Sequence, residues 1–197
     1  MKSYGAGLLV LIVTFLVGAC GGAGSQPQAP RSTDQPAITG APAGFNADDV
    51  AFANGMITSY GQTSELTALV PERSADSDLV ALAAGIDVAQ GPDLETMKVL
   101  LVQWNSNSDS GPSQGWQGNA VMGMVDDATK MHLNSSSGAE FDSLWLRSMI
   151  GHQQGAVEMA EAEIAHGTNV DAVATAKRFV GTYRAQIARM QQELRDR

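Results

Sequence analysis

Apolar residues recur every three or four positions in four segments of this chain, and each segment predicts a helix. The first predicted helix starts at an Asn46 cap and stops before Pro71. The second runs from near Ser77 to about Trp104, and a kink or break is expected at Gly91-Pro92, since proline lacks the N–H that a helix needs.

The composition of residues 105–119 predicts a loop, and a short helix is expected at residues 120–132. Ser137 and Glu140 have the spacing of a capping box, which predicts the start of the third long helix. That helix is expected to end at Gly167, a residue type that favours a left-handed C-cap.

The fourth long helix is predicted to start at Thr168 or Asn169 and to continue to the C-terminus. No segment has a convincing strand pattern. The expected fold class is therefore all-α, a four-helix bundle of two helix hairpins with a short extra helix in the crossover between them.

The chain also repeats itself. A shift of 93 positions lays Asp49–Trp104 on Asp142–Arg197 without a gap, and Met56 falls on Met149. The main chemical difference is that Ser59 occupies the place of His152. The repeat predicts that these two positions face one another across a pseudo-twofold axis.

A helical wheel places His152 in the middle of the core-facing stripe of the third long helix. One interpretation is a core histidine whose ring nitrogens bond to groups such as Ser59, Tyr60 or Tyr183, with the methionines as core packing. The other is a metal site in which His152, with methionine thioethers, binds copper or a similar ion.

A second group of candidate ligands lies in the crossover. It has two interpretations, a Cu(I) site with thioether ligands or an amphipathic helix that packs through its methionines. Its members are Met122, Met124, Met131 and His132.

Residues 1–19 resemble a lipoprotein signal peptide, with a basic start, a short apolar region and a lipobox that ends at Cys20. Cys20 is then expected to carry the lipid (palmitate-type acyl chains), and residues 20–44 form a flexible tether. The folded domain is expected at residues 45–197. The predicted location is the extracytoplasmic face of a bacterial cell membrane, with the lipid on Cys20 as the contact to that membrane.

The composition excludes other classes of function. The formal net charge of −9 and the lack of a basic patch argue against binding of nucleic acid. Glu65 and Glu158 are duplicated, but neither is followed by a histidine three residues later, as di-iron bundles require. Glu161 and Glu163 are interpreted as a solvated face. We therefore expect no enzymatic activity.

The stretch from Phe141 to Ala160 resembles the signature of the bacterial family called domain of unknown function 305, roughly FD-x-x-FL-x-x-MI-x-HH-x-GA-x-x-MA. The resemblance implies a duplicated, ferritin-like helical bundle, mostly exported, in a family with some links to copper. Where the family has adjacent histidines, this chain has His152-Gln153 and Ser59-Tyr60. The metal ligands that the resemblance carries over are Met149, His152, Met159 and Met56.

Two hypotheses of function follow. The first is a membrane-anchored envelope lipoprotein whose non-catalytic bundle binds or supports an unidentified ligand or envelope protein, with a largely eroded metal site and no certain cofactor. The second is a lipoprotein that binds or sequesters copper through methionine and histidine ligands.

Overall fold

The computed structural model describes residues 44–107 and 121–197. Within these ranges the chain forms six helices and no strand, which confirms the all-α prediction. The helices are α1 (Ala47–Ala68), α2 (Val70–Arg73), α3 (Ser77–Asn107), α4 (Asp127–Ser135), α5 (Gly138–His166) and α6 (Val170–Arg195).

The four long helices form two hairpins that pack into a bundle. α1 packs along α3, α5 packs along α6, and α1 contacts α5 at the centre of the bundle. The 93-residue repeat relates α1 to α5 and α3 to α6, so the two hairpins are the two copies. The four-helix bundle with a short extra helix in the crossover is therefore confirmed.

Two predicted helix starts are confirmed in detail. The side chain of Asn46 accepts hydrogen bonds from the backbone N–H groups of Asp48 and Asp49, and Asp49 Oδ2 accepts from the Asn46 N–H at 2.6 Å. Asn169 caps α6 by accepting from the N–H groups of Asp171 and Ala172, each at 3.1 Å. These bonds satisfy donors that the first turn of a helix leaves without partners.

Of the kink or break expected at Gly91-Pro92, the break is wrong, because α3 continues through both residues as one helix. Both residues are exposed, so the carbonyl that loses its helical donor lies on the solvated side. Buried Ile86 precedes the proline and buried Met97 and Leu100 follow it. Core packing on both sides thus outweighs the local preference of proline.

The predicted helix at residues 120–132 starts too early. Asp126 caps α4 by accepting from the Thr129 N–H at 2.8 Å, and residues 121–126 before it are not helical. α4 runs instead to Ser135. Because the Asp126 cap sets the start of α4, the residues before it are outside the helix, and Val125 bonds to Gln62 of α1 instead.

Two further cap predictions are wrong. Ser137 is the N-cap of α5 but makes no side-chain cap bond, and Glu140 contacts His132 instead. Gly167 has φ −64°, so it is not left-handed. A Cβ at Gly167 would overlap the carboxyl group of Glu163, and this close approach is the reason that glycine fits there.

The buried apolar side chains form two clusters within the bundle. The first cluster includes Phe52, Met56, Tyr60, Met97, Trp104, Phe179 and Tyr183. The second cluster includes Leu66, Leu79, Ile86, Leu133, Phe141, Trp145, Met149 and Met190. Trp145 belongs fully inside because its indole N–H donates to the Leu66 carbonyl at 2.8 Å.

None of the helices among the described residues is both long enough and apolar enough to span a membrane. The predicted signal peptide, Cys20 and the tether up to residue 43 lie outside the described residues.

Candidate functional site

His152 lies at the centre of the bundle, and the predicted pairing of the two repeat copies is confirmed there. Its side chain is 1% exposed, and Nε2 lies 3.3 Å from Oγ of Ser59, the equivalent residue of the other copy. Thr63 Oγ1 lies 3.0 Å from the same nitrogen. The other ring nitrogen, Nδ1, lies 3.1 Å from the carbonyl oxygen of Gly123.

Both ring nitrogens face carbonyl oxygens, since Nε2 also lies 3.1 Å from the Ser59 carbonyl oxygen. A carbonyl oxygen can only accept and a neutral ring carries one N–H, so one of the two nitrogens donates to its carbonyl. The hydroxyls of Ser59 and Thr63 are the other partners of Nε2. Burial lowers the pKa of His152, although hydrogen bonds to the carbonyls of Gly123 and Ser59 act in the opposite direction. The ring is therefore neutral at pH 7.

Residues 121–126 form a short non-helical segment with a turn at Met122 and Gly123, and Gln62 and His152 bind it to the bundle. This segment is called the strap here. The Gln62 amide donates to the Val125 carbonyl at 2.9 Å and accepts from the Val125 N–H at 2.7 Å. Gly123 has φ +77° and lies directly on α5 at Gly155. A Cβ at either glycine would overlap backbone atoms of the other segment, so only glycine permits this contact.

The roles of Gln62 and Gly123 were not predicted from the sequence. Gln62 is 5% exposed, and its partner lies 63 positions away. The signal that could have revealed it is a glutamine between the core positions Ser59 and Leu66 of an amphipathic helix, since a buried amide needs partners.

The structure divides the methionines of the bundle between the two core clusters. Met56 and Met159 pack in the first cluster, and Met149 packs in the second. Met56 and Met149 are 0% exposed, while Met159 is partly buried against Gly55. Both nitrogens of His152 already have oxygen partners. The bundle residues predicted as copper ligands thus serve as packing groups in this structure.

The candidate ligands of the crossover lie at the surface. Met122 and Met124 belong to the strap and are 43% and 36% exposed, and Met131 of α4 is 67% exposed. His132 Nε2 lies 3.1 Å from Glu140 Oε1, at the protein surface. The interpretation of Met122 and Met124 as the packing face of a helix is wrong, since neither lies on a helix.

The described residues contain no group of three or more histidine, cysteine, aspartate or glutamate side chains placed to hold a metal ion. The duplicated Glu65 and Glu158 are both exposed, so neither points into the bundle centre as a di-iron carboxylate would. Thioether sulfurs and exposed histidine remain as the available soft or borderline ligands.

Tyr60 and Gln153 occupy the positions where the family signature has its second histidine, and each has a structural role here. Tyr60 is buried and meets Phe179 edge-on, with ring centroids 5.9 Å apart. Gln153 is buried and donates to Gln186 Oε1 at 2.7 Å, which ties α5 to α6. One position therefore supports the aromatic core and the other supports a hairpin.

The carboxyl groups of Asp49 and Glu163 are buried where the start of α1, the end of α5 and the start of α6 meet. This pair was not predicted from the sequence. Asp49 accepts from the backbone N–H groups of Asn46, Thr168 and Asn169, at 2.6 to 3.1 Å. Burial acts to raise the Asp49 pKa, but these hydrogen bonds outweigh it and the pKa lies below its ordinary value.

Glu163 is 1% exposed, so its assignment to a solvated face is wrong, although Glu161 is exposed as expected. Burial and the neighbouring negative charge of Asp49 raise the pKa of Glu163 to about 8. Glu163 is thus mainly protonated at pH 7. Glu163 lies on the same face of the helix as His152, and this position in the core-facing stripe was the sequence signal of its burial.

The fold is shared with solved structures of related proteins. A DUF305 protein of Streptomyces coelicolor, described as secreted, is 26% identical with a TM-score of 0.66, over 76% of this chain and 93% of that chain. A DUF305 fragment of Deinococcus radiodurans is 26% identical with a TM-score of 0.68, over 80% of this chain and 100% of that chain.

The same fold occurs in CopM, whose Cu(II)-bound structure is 21% identical with a TM-score of 0.62, over 75% of this chain and 96% of that chain. A comparison with curated protein sequences found no match. The sequence profile named "Domain of unknown function (DUF305)" matches residues 49–194, which span all four long helices. The chain therefore belongs to the DUF305 family.

Proposed function

We propose that this protein is a non-catalytic envelope lipoprotein whose bundle acts as a binding or scaffold module. The observation that carries the proposal is the environment of His152. Both ring nitrogens have partners from the protein itself, and the ring fastens the strap to the bundle. A histidine used in this way has no free nitrogen for a metal or a substrate.

The location outside the cytoplasm is part of the proposal. Its support is the lipobox-like sequence that ends at Cys20 and the description of the Streptomyces relative as secreted. Acyl chains on Cys20 would hold the protein at the membrane surface, and the tether would place the bundle above it.

The test separates a structural histidine from a metal ligand. Substitution His152→Ala removes the hydrogen-bond partners that the ring gives to Gly123, Ser59 and Thr63 and opens a cavity, so we expect the free energy of unfolding to fall by about 3 kcal/mol. Urea unfolding measures this, with His132→Ala as the exposed control that changes stability by less than about 0.5 kcal/mol.

The same variants are titrated with Cu(I) in competition with a chromophoric chelator. The chain carries Cys20→Ser, because an unmodified thiolate would itself bind Cu(I). We expect His152→Ala to leave the copper affinity unchanged. Loss of a tight, stoichiometric site in this variant would overturn the proposal.

A second candidate function, binding of copper, is favoured by a separate observation. The described methionines outside the bundle helices, Met122, Met124 and Met131, are all exposed. CopM, which shares this fold, has been solved in Cu(I)-bound and Ag-bound forms. These exposed thioethers and the exposed His132 are the ligand types that Cu(I) prefers.

The matched test for this candidate replaces thioethers without a change in apolar volume. If the crossover binds Cu(I), the variant Met122→Leu/Met124→Leu should lose affinity by about tenfold or more, whereas Met56→Leu in the core should not. Equal affinity in the two variants would exclude a site at the crossover.

A further inference from the structure

α3 and α6 lie side by side but make few contacts, and two open grooves separate them. One groove, of about 480 Å³, is lined by Glu95 and Val99 of α3 and by Ala174 and Arg178 of α6. The other, of about 320 Å³, is lined by residues that include Gly85 of α3 and Ala185 and Arg189 of α6. We call the surface that contains both grooves the α3/α6 face.

The two grooves are copies of one another. The shift of 93 positions carries Pro92 of the first groove onto Ala185 of the second, and it carries Gly85 of the second groove onto Arg178 of the first. The α3/α6 face therefore has the internal pseudo-twofold symmetry of the repeat. The linings also show that the helices run antiparallel, since Val99 lies level with Ala174 and Gly85 lies level with Arg189.

In the α3/α6 face, α3 contributes exposed apolar side chains and α6 contributes exposed small side chains. Val88 and Val99 of α3 are 76% and 53% exposed. Ala174 and Ala185 of α6 are exposed and have side chains of one carbon. The valine side chains of α3 project from the surface, whereas the alanines of α6 leave shallow depressions into which such side chains can pack.

The two helices also carry opposite charge. α3 has four carboxylates and one lysine, so its net charge is −3. α6 has five basic residues and two carboxylates, so its net charge is +3. Arg178 of α6 already pairs with Asp93 of α3 across the seam at 3.3 Å.

We propose that the α3/α6 face binds a second copy of this chain, with α3 of each protomer lying on α6 of its partner. A twofold axis parallel to the helices produces this arrangement and keeps the antiparallel register. Val99 then lies on the partner's Ala174, and Glu95 lies beside the partner's Arg178. The alternative twofold, with α3 on α3, places net charges of −3 on each other and leaves the valines opposite valines.

The size of the face suits a stable dimer. α3 has 31 residues and α6 has 26 residues. At a rise of about 1.5 Å per residue and a width of about 10 Å per helix, the face covers about 800 Å² of each protomer, the area of a standard protein interface.

The test is site-specific crosslinking of the full chain in its own membrane. Two tagged versions are co-expressed, one with Val99→Cys and the other with Ala174→Cys, and a short bismaleimide is added. The proposal expects a crosslinked dimer that carries both tags. The chain with Cys20 alone is the control and should give none.

Other results overturn the proposal. A crosslink between two Val99→Cys chains, without the mixed product, would show the α3-on-α3 arrangement. Absence of any dimer, with both cysteines labelled freely by a monofunctional maleimide, would show an uncovered face. Absence of a dimer with both cysteines protected would show that a different occupant, from this chain or another protein, covers the face.

A charge reversal gives a second, independent measurement on the detergent-solubilised full chain. Glu95→Arg places two cations together at both symmetry-related Glu95–Arg178 contacts, so we expect the dissociation constant of the dimer to rise about tenfold. Addition of Arg178→Glu should restore most of the lost affinity. Glu65→Arg on α1 makes the same charge change outside the face and should have no effect. Sedimentation equilibrium measures all three, and equal dimer affinity in Glu95→Arg and Glu65→Arg would contradict the proposal.

Discussion

At the residue scale, the difference between the two repeat copies has a physical explanation. Ser59 and His152 occupy equivalent positions and meet at the centre of the bundle. A neutral imidazole has one donor and one acceptor, and here Nδ1 lies against the strap carbonyl while Nε2 lies against the carbonyl and hydroxyl of Ser59 and the hydroxyl of Thr63. The serine of one copy thus serves as a polar partner of the histidine of the other.

The buried pair of Asp49 and Glu163 gives a prediction for the pH dependence of stability. The pKa of Glu163 rises from an ordinary 4.5 to about 8 in the folded chain. The folded state therefore binds the proton more tightly, so this contribution to stability is complete below pH 4.5 and is lost as the pH rises through about 8. The lowered pKa of Asp49 stabilises the folded state at neutral pH. This contribution to stability is lost only as the pH falls below 3.8, the ordinary pKa of the group.

The variant Glu163→Gln keeps the size of the side chain but cannot titrate. We expect its free energy of unfolding to vary less with pH between 5 and 8 than that of the parent chain, as measured by urea unfolding at several pH values. Glu161→Gln on the same helix is exposed and should keep the slope of the parent. Identical slopes for the parent and Glu163→Gln would mean that Glu163 is ionised in the folded protein.

At the element scale, caps and core periodicity predicted the helices, while contacts between distant segments decided the crossover. Asn46 and Asn169 cap helices through groups two or three residues away, so local sequence was sufficient. The strap depends on Gln62 and on His152, which lie 63 and 29 positions from their partners. Such contacts have no local pattern, and the strap was therefore mistaken for part of a helix.

The strap gives a prediction with a matched control on one helix. A Cβ at Gly155 would overlap the strap backbone at Met122 and Gly123, so Gly155→Ala should displace the strap and cost about 2 kcal/mol of unfolding free energy. Gly151 has open space around its Cβ position, and Gly151→Ala should stabilise α5 by about 0.5 kcal/mol.

Thermal unfolding ranks the two glycine variants, and hydrogen exchange at the Val125 amide reports on the strap itself. Exchange at Val125 should become faster in Gly155→Ala and stay unchanged in Gly151→Ala. Equal stability and equal exchange in the two variants would show that the strap does not rest on α5.

At the scale of the whole molecule, the lipid anchor is the simplest prediction to test. Substitution Cys20→Ser removes the thiol that the lipid requires, so we expect the chain to move from the membrane pellet to the soluble fraction after cell lysis. Immunoblotting of the two fractions measures this. Retention of Cys20→Ser in the pellet would show that something other than a lipid on Cys20 holds the protein at the membrane.

The helical class, the duplication and the core-facing stripes can all be read from the amino-acid sequence alone. These follow from local chemistry, namely 3.6-residue periodicity, caps and a gapless repeat, and they correctly placed His152 opposite Ser59. The role of His152, the burial of Glu163 and the unbroken course of α3 through Pro92 emerge only in the packed fold. In each of these cases packing and hydrogen bonds from residues distant in sequence outweigh the local preference, because burial in a packed core changes both the partners and the energy of a side chain.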